Sequence, residues 1–509
     1  MRIPLRRAAR AASTIRAAIG RAQSTCLSAL LVATVFATTA EAQETNAKSA
    51  ERKPALADLA RSYLALEQAV QAHGYGRVGR ERANAEFDQL TMGFFLGSYG
   101  SAVQRLDALV AAIDPARADA RERAADALVL VCERRWRANG ATRLELHLTR
   151  NHEGHDLPAD FDEVVVVEAR PVDGSPGWSA RVRHADIGRG LLALPPLELE
   201  APVDLRVTLR VGDAAPRAAW TCEWLPRAPS ASSAALLERL AKVEPDGPPL
   251  EQAKSSLEAR AKRLRDRLDP NQPSSILLSP RREQEELEAD VAQLERGVDP
   301  LRRRVGDHWR VVQAGKRAFP LRVLAPPAAA KDEPLPLVVA LHGAGGDEHH
   351  WFEAYGAGRL ARLAGDDGTL LVAPATGMGG MKPEEFDQLL VALVYCYAID
   401  RARIHVVGHS MGAGLAANLA KERGAKLASV ACFAGGPRGA PPSAGVPPIL
   451  VVAGARDTIV PYAGVRQAAL AWREAGLPVE FLGSEDEGHT LLVAEHLAEA
   501  WAWMRFKSR

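Results

Sequence analysis

Cysteine is scarce, at five in 509 residues, and no two cysteines stand at a metal-ligand spacing. A small disulfide-built scaffold and a thiolate metal cluster are both excluded as organising principles. An excess of charge is missing too: the formal net charge is +1 and no segment stands out as a basic domain, which argues against a nucleic-acid role. Clusters such as Arg302-Arg303-Arg304 read as solvated helix faces. No internal repeat recurs at a solenoid or propeller period. What remains, 47% apolar and 25% charged residues, is the composition of an ordinary globular protein long enough for two or three domains.

The front of the chain changes period twice. Leu56, Leu59, Tyr63, Leu66 and Val70 recur at helical spacing, as do Phe87, Leu90 and Phe94, then Val103, Leu106, Leu109 and Ile113. With Leu128 to Cys132 they suggest three or four helices up to about residue 137. Alternation follows at Leu144, Leu146 and Leu148, a continuous run at Val164 to Val167, and alternation again from Val203 to Val211, with turn residues such as Asp173-Gly174 between. Helical spacing returns at Leu257, Leu264 and Leu268, then at Leu287, Val291, Leu294 and Val298. His152 and His155 invite a metal hypothesis, but two histidines in a polar loop fall short of the three or four ligands zinc requires. Cys132 and Cys222 flank the alternating region; an exported protein permits a disulfide between them, and sequence leaves the pairing open. Cys396 and Cys432 fall in apolar segments and are expected to be buried thiols.

Chemistry concentrates near the C-terminus. Gly408-His409-Ser410-Met411-Gly412 follows the apolar run Ile404 to Val407 and precedes a helix-like Ala413 to Ala417. A strand, a tight turn with a central serine and a helix lift the hydroxyl above a sheet, and the flanking glycines keep the turn clear of its neighbours. A second buried strand ends at Gly454 and leaves through Asp457; a third, Val479 to Leu482, leads to His489. Serine, aspartate and histidine in that order make a nucleophile, an orienting acid and a general base. Glu485 and Asp486 stand too close to His489 in sequence to be its orienting acid. The strand Pro336 to Leu341 runs into His342-Gly343-Ala344-Gly345-Gly346, a turn able to aim backbone N–H groups at an oxyanion. Met411 and Ala344, with Gly343 as neighbour, are the expected donors; His342 and His409 are expected to contact substrate rather than act as bases. Asp347, His349 and His350 are expected at the pocket rim.

These pieces resemble the α/β-hydrolase superfamily over roughly residues 308–507, and within it esterases of the dienelactone hydrolase, phospholipase/carboxylesterase and polyhydroxybutyrate-depolymerase type. The resemblance implies an α/β fold class: a C-terminal α/β-hydrolase domain with a mostly parallel sheet over 307–509. A helical region (43–138), a small β-sandwich-like module (139–227) and helical segments (228–306) precede it, with a linker near 304–310. The front half resembles no known family; packing and interaction is its simplest role, with cleft-forming and polymer-binding roles open. The resemblance implies an ester hydrolase with a Ser410–His489–Asp457 triad and no metal or organic cofactor. The clan also holds prolyl-oligopeptidase-like serine peptidases, which usually carry an aromatic residue beside the serine and a propeller in front; His409 stands there in this chain, and no propeller repeat is found. A non-catalytic binding protein on the same fold is the second alternative. The short interval from Val372 to Ser410 leaves no room for a lid. A shallow site for small-molecule or polysaccharide-linked esters is therefore expected, with the loop Gly377 to Met381 as one wall.

The first 42 residues carry Arg2, Arg6, Arg7, Arg10, Arg16 and Arg21, then an apolar stretch from Leu27 to Phe36, then Ala40-Glu41-Ala42. This reads as a secretory leader, implying export to the periplasm or medium and no stable membrane insertion after cleavage. Removal takes away six arginines and Glu41 and turns the net charge from +1 to −4. N-terminal sequencing of protein recovered from the exported fraction is expected to begin at Gln43; an intact Met1 start in that fraction would show that the leader is retained.

Overall fold

The front helical spacing produces α1 (Leu56–His73), α2 (Arg80–Phe95), α3 (Tyr99–Ile113) and the short α4 (Ala120–Ala127). The computed structural model describes residues 51–509 except 139–142, 200–201 and 444; the leader expected over 1–42 lies outside the described residues. Leu59 and Leu66 of α1, Phe87 and Leu90 of α2, and Val103, Leu106 and Val110 of α3 close one apolar cluster, and Leu491 from far down the chain completes it. The Asp119 side chain accepts the Arg121 N–H and caps α4.

Leu128–Cys132, expected as helix, is instead the strand β1, paired antiparallel with Leu146–Arg150. Five apolar residues carry too little periodicity to distinguish a strand from a helix, and here the partner strand decides. In chain order the next strands are β2 (Trp136–Ala138), β3 (Arg143–Leu144), β4 (Leu146–Arg150), β5 (Val164–Pro171), β6 (Trp178–Arg183), β7 (Leu192–Ala193), β8 (Leu197–Glu198), β9 (Leu205–Val211) and β10 (Arg217–Leu225). They form a sheet in the order β2-β10-β9-β5-β6, a smaller one, β1-β4-β7, and the pair β3-β8. The inward residues of both larger sheets share one core: Leu146 and Leu148 from one, Val165, Val167, Val207 and Leu209 from the other. Cys132 and Cys222 sit in that core as free thiols, so the open disulfide is not formed. His152 donates to Asp107 at 2.9 Å in a buried pair, which occupies the histidine without a metal.

Beyond α5 (Pro229–Ala241), α6 (Pro248–Arg267) and α7 (Pro280–Leu294) lies a sheet of β11 (Gly306–Ala314), β12 (Arg317–Ala325), β13 (Leu335–Leu341), β14 (Leu370–Pro374), β15 (Ile399–His409), β16 (Ser429–Phe433), β17 (Ile449–Gly454) and β18 (Val479–Ser484). Its order is β11-β12-β14-β13-β15-β16-β17-β18, antiparallel at the first two pairings and parallel from β14 onward. Helices, among them α8 (Arg359–Asp366) and α9 (Pro383–Cys396), cover both faces, so the central strands read as continuous apolar runs with alternate residues facing opposite layers. Leu337, Val339 and Leu341 face one layer with Val406 and Val430. Val338 and Ala340 face the other with Val407, Trp351 and Trp501.

The first layer extends across the expected boundary. Leu257 and Leu264 of α6 and Leu287, Val291 and Leu294 of α7 lie in the same core as Val312, Phe319 and Leu321 of β11 and β12. Residues 306–310, expected as part of a linker, are the start of β11, hydrogen-bonded to β12. Ser256 of α6 accepts the Val311 N–H at 3.1 Å, satisfying a donor on the outer edge of that strand. Ion pairs lock the same junction: Asp290 of α7 receives Arg260 of α6 and, at 2.7 Å, Arg304, with Arg260 and Asp290 almost wholly buried.

Removing one partner of a buried pair strands the other charge. Asp290→Ala is therefore expected to lower the unfolding free energy by roughly 3–5 kcal/mol. Urea denaturation of the full chain checks this; a loss under about 1 kcal/mol, the value of an exposed pair, would overturn it.

Candidate active site

Ser410 stands between β15 and α10 (Met411–Arg423) at φ 55° and ψ −115°, a conformation L-residues rarely adopt. The two flanking glycines make it possible. A Cβ on Gly408 would lie 2.2 Å from the Gly412 carbonyl oxygen, and one on Gly412 would lie 2.2 Å from the Leu341 oxygen. The Ser410 N–H donates to the Phe433 carbonyl on the neighbouring strand at 2.8 Å and pins the turn to the sheet.

The loops after β17 and β18 bring Asp457 and His489 together. His489 Nδ1 donates to Asp457 Oδ2 at 2.8 Å, which leaves Nε2 to accept the Ser410 hydroxyl at 2.9 Å. Asp457 uses its other oxygen to accept the Ile459 and Val460 N–H groups at 2.8 and 2.7 Å, so its carboxylate cannot turn. Glu485 and Asp486 take no part in this chain; Asp486 faces Arg456 at the surface.

On the far side of Ser410 lies the glycine-rich turn. Gly343 and Ala344 line the cavity beside Ser410 and His489. Gly343 is so close to the elbow that a Cβ there would meet His409 Nδ1 at 2.9 Å. Met411 opens α10, where helix geometry leaves the first N–H groups without an intrahelical acceptor. The two histidines separate. His409 lines the cavity, yet both its nitrogens are engaged, with the Tyr355 hydroxyl at 2.9 Å and the His489 carbonyl at 2.9 Å. Burial and the neighbouring His489 hold it neutral, well below the usual imidazole range. His342 does not reach the cavity, contrary to expectation. Its Nδ1 donates to the Gly343 carbonyl at 2.7 Å, and its Nε2 accepts the Thr376 N–H at 3.0 Å, so it braces the turn. Asp347 and His350 reach the wall, 3.1 Å apart; His349 turns away beside Glu348. The loop Gly377 to Met381 also lies off the cavity, held by Arg317 through the Gly380 carbonyl.

The site is not shallow. α1, α2 and α3 roof it, and the cavity above Ser410 measures about 430 Å³. α2 also holds the loops that carry His489 and Asp457. Asp88 accepts the His489 N–H at 2.9 Å with one carboxylate oxygen and the Thr458 N–H at 3.0 Å with the other. One turn earlier, Asn84 accepts the Gly488 N–H at 2.8 Å and donates to Glu487 at 2.9 Å. Burial, only partly offset by these N–H donors, raises the Asp88 carboxyl above its ordinary range. Glu67 of α1 is buried behind the wall, accepting the Tyr63 hydroxyl and the Gly356 N–H at 3.0 Å each. Its burial outweighs those bonds and lifts the carboxyl to about 7. Asn84, Asp88, Glu67 and Tyr355 were not singled out from sequence. Polar residues four apart on one helix face, Asn84 and Asp88 beside Phe87, were the available signal. Among the described residues no group of three or more metal-binding side chains assembles.

Residues 338–507 match the model of the alpha/beta hydrolase family, and with the sheet order above they form an α/β-hydrolase domain. No curated protein matches the chain. Similar solved structures include a thermostable esterase (20% identity, TM-score 0.34), with the match covering 40% of this chain and 63% of that one. The S-formylglutathione hydrolase of Staphylococcus aureus is 17% identical (TM-score 0.33), with 40% of this chain and 98% of that chain covered. A ferulic acid esterase gives the same values: 17%, 0.33, 40% and 98%.

Glu67 makes stability depend on pH. Its folded value of about 7 lies above the ordinary 4.5, so between those values the native state holds a proton the unfolded chain has lost. Its contribution is thus favourable in acid and is lost as pH rises through about 7, by up to a few kcal/mol. Urea unfolding at pH 5 and pH 8 is expected to show Glu67→Gln gaining on the wild type at the higher pH. An equal difference at both would overturn the assignment.

Proposed function

We propose that this α/β-hydrolase domain is a serine esterase in which Ser410 attacks the ester carbonyl, His489 takes the serine proton and passes it to the leaving alcohol, and Asp457 holds His489. The observation that carries the proposal is the unbroken hydrogen-bonded chain from Asp457 through His489 to a serine on a strained turn. Asp457 fixes the tautomer with Nε2 free to act as base and stabilises the imidazolium that follows.

The oxyanion would be received by the N–H groups of Met411 and Ala344. Gly343 is the weaker candidate, because its N–H faces the Tyr355 hydroxyl at 3.4 Å. Each such donor lowers the barrier by ~2.7–4 kcal/mol. Breakdown expels the alcohol and leaves an acyl-serine; water then enters, His489 removes its proton, and the acid departs. Asp88 and Asn84 act through the backbones of the His489 and Asp457 loops and are positioning residues.

Purified protein is expected to hydrolyse p-nitrophenyl butyrate and to be labelled by a fluorophosphonate. Ser410→Ala should abolish the labelling and lower kcat/KM by roughly 10⁴-fold or more. Aminoacyl-nitroanilides turned over as efficiently as esters would make the enzyme a peptidase. Neither turnover nor labelling of the wild type would remove the catalytic role altogether.

A further inference from the structure

The roof of the site has its own chemistry. Leu59, Ala60, Phe87, Leu90, Phe94 and Leu106, from α1, α2 and α3, face the same cavity as Ser410 and His489. The Phe94 ring comes so close to the glycine-rich turn that a Cβ on Gly345 would lie 2.4 Å from its Cε1. Gly345 is also at φ 78°, so only glycine suits the position. The apolar wall is therefore continuous with the oxyanion turn rather than set apart from it.

Four polar side chains at the wall are already partnered. Tyr63 donates to Glu67, and Thr91 donates to the Phe87 carbonyl. Asp347 and His350 pair with each other, and that pairing, together with the nearby His349, outweighs burial and holds the Asp347 carboxyl below its usual range. No one of these four offers an uncompensated charge to a ligand. The cavity of about 430 Å³ falls within the range of small-molecule sites.

The reaction sets the direction of the substrate. The leaving oxygen must lie at His489 Nε2 and the carbonyl oxygen at the 343–344 turn. Phe94 and the helices form the wall next to that turn, whereas Ile459 and Thr490 line the cavity from the loops of Asp457 and His489. We infer that the helices of residues 56–106 form an acyl pocket, and that the substrate class is an uncharged ester carrying a medium-length or aromatic apolar acyl group. The inference rests on the esterase assignment above and replaces the shallow site expected from loop lengths.

The test compares p-nitrophenyl acetate, butyrate and octanoate, and in parallel ethyl and octyl acetate, with the wild type and Ala60→Phe. Ala60 lines the pocket and is partly exposed, so a larger ring fills space there rather than the core. In the wild type kcat/KM is expected to rise by about tenfold or more from acetate to octanoate. In Ala60→Phe that octanoate-to-acetate ratio should fall by about tenfold or more, with fluorophosphonate labelling retained as evidence of a folded site. A flat acyl series in the wild type, or a preference following the alcohol length instead, would overturn the acyl pocket while leaving the esterase intact. A ratio unchanged in a labelled Ala60→Phe would overturn it as well. Absence of all ester turnover and of labelling would refute the esterase and the pocket together.

Discussion

Ser410 occupies a backbone conformation that an isolated chain would leave at once. Non-glycine residues at such angles cost on the order of 1–3 kcal/mol and persist only where their surroundings over-determine them. Here the surroundings are the parallel pairing of β13, β15 and β16, with the Ser410 N–H tied to Phe433 and α10 pressed so close that two glycine flanks are obligatory. A Cβ on Gly435 would in turn lie 2.9 Å from the Ser410 carbonyl oxygen, so the next strand's exit closes the turn from its other side. The sheet is the rigid base against which the strain is held, and the hydroxyl is exposed because nothing in the turn can relax.

His489 and Asp457 lack such support from the sheet. They lie on loops beyond the ends of β18 and β17, and a helix from the front of the chain supplies the constraint. Asp88 spans the two loops with one carboxylate, gripping the backbone of His489 and of Thr458, while Asn84 takes Gly488. Gly488 is the residue that lets the helix come this near, since a Cβ there would meet Asp88 Oδ1 at 2.9 Å. The same helix turns Phe87, Leu90 and Phe94 toward the cavity, so one element both fixes the geometry and shapes the space above the serine.

Local signals made the elbow, the glycine-rich turn and the strand–loop placement of Asp457 and His489 legible, because each depends on residues within a few positions of it. The mostly parallel sheet was legible for the same reason, through its continuous apolar runs. The roles of Asn84 and Asp88 were not, because their partners lie 370 to 404 positions downstream and nothing near them in sequence marks the surface they will meet. His342 misled by adjacency: it precedes the turn, but its ring points toward Thr376 rather than into the cavity. Loop lengths inside the catalytic domain suggested an open site, whereas the cover comes from outside that interval. Leu128–Cys132 failed for a different reason, since a short apolar run contains no period to read.

The distance in sequence between α2 and the loops it grips also governs how the protein comes into being. Synthesis delivers the front helices first, with Leu59, Phe87 and Leu90 made long before Leu491, which completes their cluster. Until the ribosome has released the last strand and its loop, Asp88 and Asn84 have nothing to bind, and an apolar face waits uncovered. Contacts of such range form late and slowly, and the waiting surface is prone to aggregate. A nascent chain of this protein is thus most vulnerable until β18 and the loop after it emerge, and the loops of His489 and Asp457 acquire their final geometry only with the last contacts to form.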